Sequence, residues 1–320
     1  MIKEDLLTFE FTAKDEDGKI TREKPIVIIG PAESKHLRVY AYGGLIGRIP
    51  LAESKAEYHL ADDDYKKSLD SNEAELLEKF LAWKRKQPAA PGLSPKKALV
   101  NTDYLNLICK AAQQRFSSKK KSRQERNIQV KIAKQSMDSS AENVVCDMEH
   151  CVPKEEYAQQ RQKLPQYKDK EPKKPKFDLI TMDRNGRIGF IELKINGNAC
   201  RGGSGVREHY EDAQICMQSS FVKKRIKHRY NVLSENGIIE GAKIEETAAE
   251  NSEDAFFGFL FHQGEKLTSQ ADAVRICEEE LAGIDFGGEK IFFQFVARAE
   301  DVDFDHMQTW QEFCAGAGLK

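Results

Sequence analysis

Phe177-Asp-Leu-Ile-Thr-Met-Asp-Arg-Asn-Gly-Arg-Ile-Gly-Phe-Ile-Glu-Leu-Lys-Ile195 is the stretch on which the fold turns. Residues 177–183 read as a short strand, Asn185-Gly186 as a turn and residues 188–195 as a second strand, so the segment predicts a β-hairpin. Side chains alternate along a strand, which puts Glu192 and Lys194 on one side and Leu193 on the other. Asp178 opens the neighbouring strand, where it can lie beside Glu192. Phe190, Ile191, Leu193 and Ile195 demand burial, and an interior strand is a costly place for charges without a task. A Glu-x-Lys ladder on a solvated strand is the ordinary alternative, and the apolar surroundings argue against it.

Two carboxylates at one sheet edge repel each other unless a cation neutralises them, and hard divalent ions such as Mg²⁺ or Mn²⁺ prefer oxygen ligands. A lysine beside the ion can orient a water or offset charge on a phosphoryl oxygen. The chemistry predicted is phosphodiester hydrolysis, with Asp178, Glu192 and Lys194 catalytic and Asp178 and Glu192 as metal ligands.

The flanking segments fit this centre. Helices are expected over 104–116 and 124–137, the second by propensity against a competing strand pattern at Ile128, Val130 and Ile132. A strand follows over 143–152, then a polar, proline-broken stretch over 153–175, read as an exposed insertion or a short helix with a loop. After the hairpin come a Gly-rich loop over 197–205 and one long basic helix over 206–229. Strands over 255–262 and 290–298 are separated by a helix over 269–282, and a helix over 304–315 closes the chain. The Gly-rich loop lacks the Lys-Ser/Thr ending of a phosphate-binding P-loop.

Asp178, a gap of thirteen residues and then Glu192-Leu193-Lys194 resemble the PD-(D/E)XK nuclease superfamily, over roughly residues 120–265. The proline of that pattern is displaced, since Pro175 precedes Lys176-Phe177-Asp178. The resemblance implies an α/β (α+β) fold with a restriction-endonuclease-like αβββαβ core on a mixed central sheet. It implies a metal-dependent nuclease of restriction, phage defence or repair, acting on nucleic acid with DNA ahead of RNA, using Mg²⁺ or Mn²⁺ and able to act as a homodimer. It also implies an acidic residue on the first core helix, for which Glu125 is the candidate; Glu149 on the first core strand competes, with Asp147 behind it. On the helix after the lysine strand, His209, Asp212 and Gln214 are the candidate supporting residues. The alternatives are a catalytically inactive nuclease-fold protein that binds nucleic acid or serves structure, and a two-domain defence effector whose first hundred residues sense a signal.

The rest of the chain frames this centre. Strand patterns at 6–11, 26–29, 37–42 and 45–49 and a helix at 73–86 predict a small, mainly β domain over 1–90. A linker over 91–100, marked by Gln87-Pro-Ala-Ala-Pro-Gly-Leu-Ser-Pro95, then leads to the nuclease-like domain over 101–320. The chain has 320 residues, 40% hydrophobic, with a net charge of −2, which predicts a folded protein and no general polyanion binder. Basic residues nevertheless concentrate at Lys119, Lys120, Lys121 and Arg123, in the loop with Lys173 and Lys174, and at Lys223, Lys224 and Arg225 with Lys227 and Arg229. These are expected to flank a groove that follows a phosphate backbone. Seven cysteines without a CxxC pair read as free thiols. Cys146, His150 and Cys151 lie close together but match no common zinc spacing. No apolar run reaches the roughly 20 residues of a membrane span and the N-terminus lacks a signal segment, so a cytoplasmic protein without membrane contact is expected.

Overall fold

A computed structural model of the chain describes residues 2–14, 20–30, 35–51, 58–81, 94–116, 121–138, 142–245, 255–284, 286 and 290–318. It is a mixed α/β protein with several sheets, dividing into two units, Met1–Lys134 and Gln135–Lys320. No helix among the described residues is long and apolar enough to cross a membrane.

The first unit opens with helix α1 (Ile2–Leu7), followed by a hairpin of β1 (Phe11–Lys14) and β2 (Ile20–Glu23). Strands β3 (Ile26–Ile29), β4 (His36–Ala41), β5 (Gly44–Pro50) and β6 (His59–Leu60) form an antiparallel sheet in that order. The β4–β5 connection, Tyr42-Gly43, has φ of +49° and +87°, the left-handed pair that a tight hairpin turn requires. Helices α2 (Ser71–Leu81), α3 (Pro95–Leu99), α4 (Thr102–Phe116) and α5 (Lys121–Asp138) complete it, α5 running across the division. The strand expected at 6–11 is instead mostly helix and turn. Leu6 is buried from α1, and the Thr8 hydroxyl donates to the Glu4 carbonyl at 2.6 Å where the helix ends.

The domain boundary expected at 91–100 falls instead within α5. Residues 91–93 of that linker lie outside the described residues, and α4, placed beyond it, packs into the first unit. Tyr104 is the reason: fully buried, its hydroxyl donates to the Ile46 carbonyl at 2.7 Å and accepts from the Ala61 amide at 3.0 Å. Leu105, Ile108, Ala111 and Ala112 extend the same buried side of α4.

The second unit is built on a five-stranded sheet in the order β11-β10-β9-β8-β7. Strands β7 (Val144–Cys151), β8 (Lys176–Met182) and β9 (Ile188–Lys194) pair antiparallel, whereas β10 (Ala255–His262) lies parallel to β9 and β11 (Ile291–Val296) parallel to β10. Strand β9 is buried along its whole length and β8 beyond its first residue, so the hairpin is interior. Its connection is tightened by Asp183, whose Oδ1 accepts from the amides of Asn185 and Arg187 at 2.8 Å each, with Gly186 at φ +85°. Phe259, Phe261, Phe293 and Phe313 stack into the core, each such burial contributing roughly 1.5–3 kcal/mol.

Around the sheet lie α6 (Lys154–Gln162), α7 (Val206–Met217), α8 (Ser220–Glu235), α9 (Gln270–Glu280) and α10 (Trp310–Gly316). The single helix expected over 206–229 is two, because the Ser219 hydroxyl accepts from the Val222 amide and starts a new helix. The closing helix begins at Trp310 instead of 304, behind a capping box of Thr309 and Glu312. The ambiguous segment over 124–137 is helical, with Val130, Ile132 and Ala133 buried. Residues 153–175 supply α6, and the loop after it is tied down by Lys170 and Lys173.

Candidate active site

Near Asp178 the β8–β9 ladder gives way to a side chain: Asp178 Oδ2 accepts from the Leu193 amide at 2.8 Å. This fixes the aspartate between Glu192 and Lys194 along the neighbouring strand. Glu192 and Lys194, each 4% exposed, project to the same side of β9, and Lys194 Nζ donates to Glu192 Oε1 at 2.9 Å. From α7, His209 Nε2 reaches the same Oε1 at 3.0 Å. Both donors converge on one oxygen. Glu192 Oε2 is buried and has no hydrogen-bond partner among the described residues, and neither has His209 Nδ1.

The electrostatics follow from this arrangement. Burial alone would raise the pKa of Glu192, yet the charges of Lys194 and His209 outweigh it and hold the carboxyl below its ordinary range. Burial likewise disfavours the Lys194 ammonium, but Glu192, and behind it Asp178, carry its pKa above that of an ordinary lysine. The group therefore holds an ionised carboxylate and a charged ammonium, both nearly buried. Cys200, which sequence reading passed over, lies within electrostatic reach of Lys194. Burial, working against the Lys194 charge, pushes its thiol up to about 11. Its only sequence signal is its place within the Gly-rich loop. That loop turns the chain into α7: a Cβ on Gly205 would meet the Cys200 carbonyl oxygen at 2.6 Å. Arg201 ties the loop to Glu279 and Glu280.

The other candidates distribute as follows. Asp212 is buried and takes the Tyr157 hydroxyl at 2.8 Å and Lys173 Nζ at 2.6 Å, so it braces α7 instead of facing Glu192. Gln214 is half-buried on the same helix. Glu149 lies opposite Asp178, between the pairs Met148↔Leu179 and His150↔Phe177. Its φ of +54° turns it out of the ladder, and its carboxylate takes Lys176 Nζ at 3.0 Å. Glu125 is on the stretch of α5 that belongs to the first unit. Asp147 faces away into a separate buried cluster with His150 and Arg229. That cluster also bears on the zinc question, since His150 Nδ1–H donates to Asp147 Oδ2 at 2.8 Å and Cys146 Sγ donates to the Ile180 carbonyl.

The basic runs need correction as phosphate-binding surfaces. Lys119 and Lys120 lie outside the described residues, Lys121 opens α5, and Arg123 donates to the Arg115 carbonyl at 3.4 Å within the first unit. Lys173 spends its charge on Glu208 and Asp212. Lys223 is 2% exposed, and Lys227 and Arg229 are buried with it, because α8 turns this stripe inward. Lys174 and Lys224 are exposed, and Arg225 is half-buried.

Among the described residues no cluster of three or more His, Cys, Asp and Glu side chains is gathered to hold a metal ion. Asp178 and Glu192 nevertheless suit a hard cation of the kind that takes one or two carboxylates and completes its shell with water and phosphate. The buried, unpartnered Glu192 Oε2 is the atom that fits it. Comparison with protein-family models, with curated proteins and with solved structures finds no match for the chain.

Proposed function

We propose that the second unit is a divalent-metal-dependent nuclease of the PD-(D/E)XK kind, hydrolysing phosphodiester bonds of nucleic acid, with DNA the first substrate to test. The observation that carries this reading is the Asp178–Glu192–Lys194 group, buried on the central hairpin and ending in a carboxylate oxygen without a partner. Unpartnered ionised oxygen in an interior is costly, and such groups persist where function needs them. The order of elements within the second unit supports it: the antiparallel β7, β8 and β9, with α6 inserted between β7 and β8, then the helices α7 and α8 and β10 parallel to β9 run as the βββαβ part of such a core would.

In this reading Asp178 and Glu192 hold Mg²⁺ or Mn²⁺, which when bound supplies a more acidic water and offsets charge on the phosphate. Lys194, kept protonated by Glu192 and Asp178, donates a hydrogen bond to a phosphoryl oxygen or to the attacking water and does not take up a proton. His209 holds Glu192 Oε1 through Nε2–H, so that Oε2 keeps its direction. Of the two candidates for a further carboxylate, Glu149 is the one opposite Asp178 within the same unit.

The test is cleavage of supercoiled plasmid, linear duplex, single-stranded DNA and RNA with Mg²⁺ or Mn²⁺, comparing the protein with Asp178→Ala and Lys194→Ala. Metal-dependent cutting that both substitutions abolish is the expected result. Cutting that survives both would sink the assignment. No cutting, with no metal binding by calorimetry, would favour the catalytically inactive alternative.

A further inference from the structure

Helix α6 turns Tyr157, Gln160 and Arg161 to one buried face, and it packs on α7, where the Tyr157 hydroxyl meets Asp212. Arg161 is 8% exposed, and its Nε is sealed from solvent with no hydrogen-bond partner. Among the described residues no carboxylate or carbonyl answers its guanidinium. An arginine cannot escape this by losing its proton, as a lysine can. The contrast with its neighbours is sharp. Arg229 is held by Asp147, Lys194 by Glu192, and Lys170 by Glu208 and Glu211. The acids that α7 offers nearby, Glu208, Glu211 and Asp212, are already taken by Lys170 and Lys173. The two terminal nitrogens of Arg161, which are not sealed as Nε is, open to the outside of the fold, where an anion can meet them; the dipole at the end of α6 is a weak offset for a charge this far buried.

We infer that Arg161 is a binding subsite for a phosphate group. A guanidinium presents planar N–H donors in a fork that suits phosphate oxygens, and partial burial strengthens those bonds. The site sits on the helix that packs on α7, the same helix that brings His209 to Glu192. On the nuclease reading, and resting on it, the ligand is a phosphate of the bound strand other than the one being cut.

The experiment uses the full chain, with Arg161→Met to keep the stem volume and Arg161→Lys to keep the charge without the fork. Thermal melts in inorganic phosphate and in chloride of equal ionic strength come first. Anisotropy binding of a short oligodeoxynucleotide and of its uncharged methylphosphonate analogue, both in EDTA, follows. Phosphate is expected to raise the melting midpoint of the natural protein by several degrees, that of Arg161→Lys by less and that of Arg161→Met not at all. In chloride, Arg161→Met should melt no lower than the natural protein. The oligonucleotide should bind Arg161→Met about ten- to a hundredfold more weakly, with the uncharged analogue binding both equally. An equal phosphate response in all three proteins, or a marked loss of stability of Arg161→Met in chloride, overturns the subsite. A lost phosphate response with unchanged oligonucleotide affinity overturns the strand assignment. An Arg161-dependent response in a protein that cuts nothing keeps the subsite and removes the nuclease reading.

Discussion

Two buried clusters of the second unit are made of the same three kinds of residue, an acid, a histidine and a base, and they are finished differently. In the first, on β7 and α8, Asp147 Oδ1 accepts from the Met148 amide at 2.9 Å and Oδ2 from His150 and Arg229, so both oxygens are used. In the second, on β9 and α7, Lys194 and His209 share one oxygen of Glu192 and leave the other bare. Burial of charge is common to both and so does not mark function. Incomplete satisfaction of an ionised group is what sets the second apart and supports the proposed site, because a closed polar network serves the fold whereas an open one leaves room for a ligand.

That contrast can be broken by substitution. Arg229→Met leaves Asp147 buried without its cation and should cost about 3–5 kcal/mol, read by urea denaturation. Glu192→Gln should lower any metal-dependent cleavage by about a thousandfold or more and cost less stability than Arg229→Met, because the amide oxygen can still accept from Lys194 and Asp178 stays beside it as a counter-charge. A loss of stability for Glu192→Gln equal to that for Arg229→Met would make the second cluster as structural as the first.

The ionic brace of α7 gives the smallest effect. Burial pushes the Glu208 carboxyl up, but Lys173 and Lys170 outweigh it and leave the pKa lowered, while the acids around Lys170 raise that of its ammonium against burial. A lowered acid stabilises the fold above the ordinary carboxylate range and loses this as pH falls through its folded value. A raised lysine stabilises below its ordinary value and loses this as pH rises through its folded value. Lys170→Met should therefore cost about 1 kcal/mol, constant between about pH 5 and 10 and shrinking below about pH 4. Urea midpoints at pH 7 and 3.5 measure it, and a difference that stays the same at both would show that Lys170 works through its stem.

The hairpin was legible because period-two alternation and Asn185-Gly186 are local signals, and Glu192 and Lys194 came with it. What the sequence hid is long-range. Ser219 breaks the helix over 206–229 although the apolar rhythm continues through it. Lys223, Lys227 and Arg229 read as a basic surface, yet Val222, Ile226, Tyr230 and Leu233 share their buried stripe, and helical spacing alone could have turned them inward. Tyr104 belongs to the first unit through partners 43 and 58 residues away, beyond any window of local pattern. Arg161 is notable only for what does not touch it.

The outer strands of the five-stranded sheet carry a consequence for self-association. An open strand edge invites a second chain to pair with it. On β7 the register shifts between Val145 and Asp147, and Glu149 stands in the left-handed region. On β11, Phe293 already exchanges backbone hydrogen bonds at 2.8 Å with Gln308. A copy of this chain arriving at either edge meets a ladder that is kinked or already occupied. Growth by sheet extension, whether into a paired dimer or a fibre, is hindered at both ends, at one by the bent ladder of β7 and at the other by the bridge on β11.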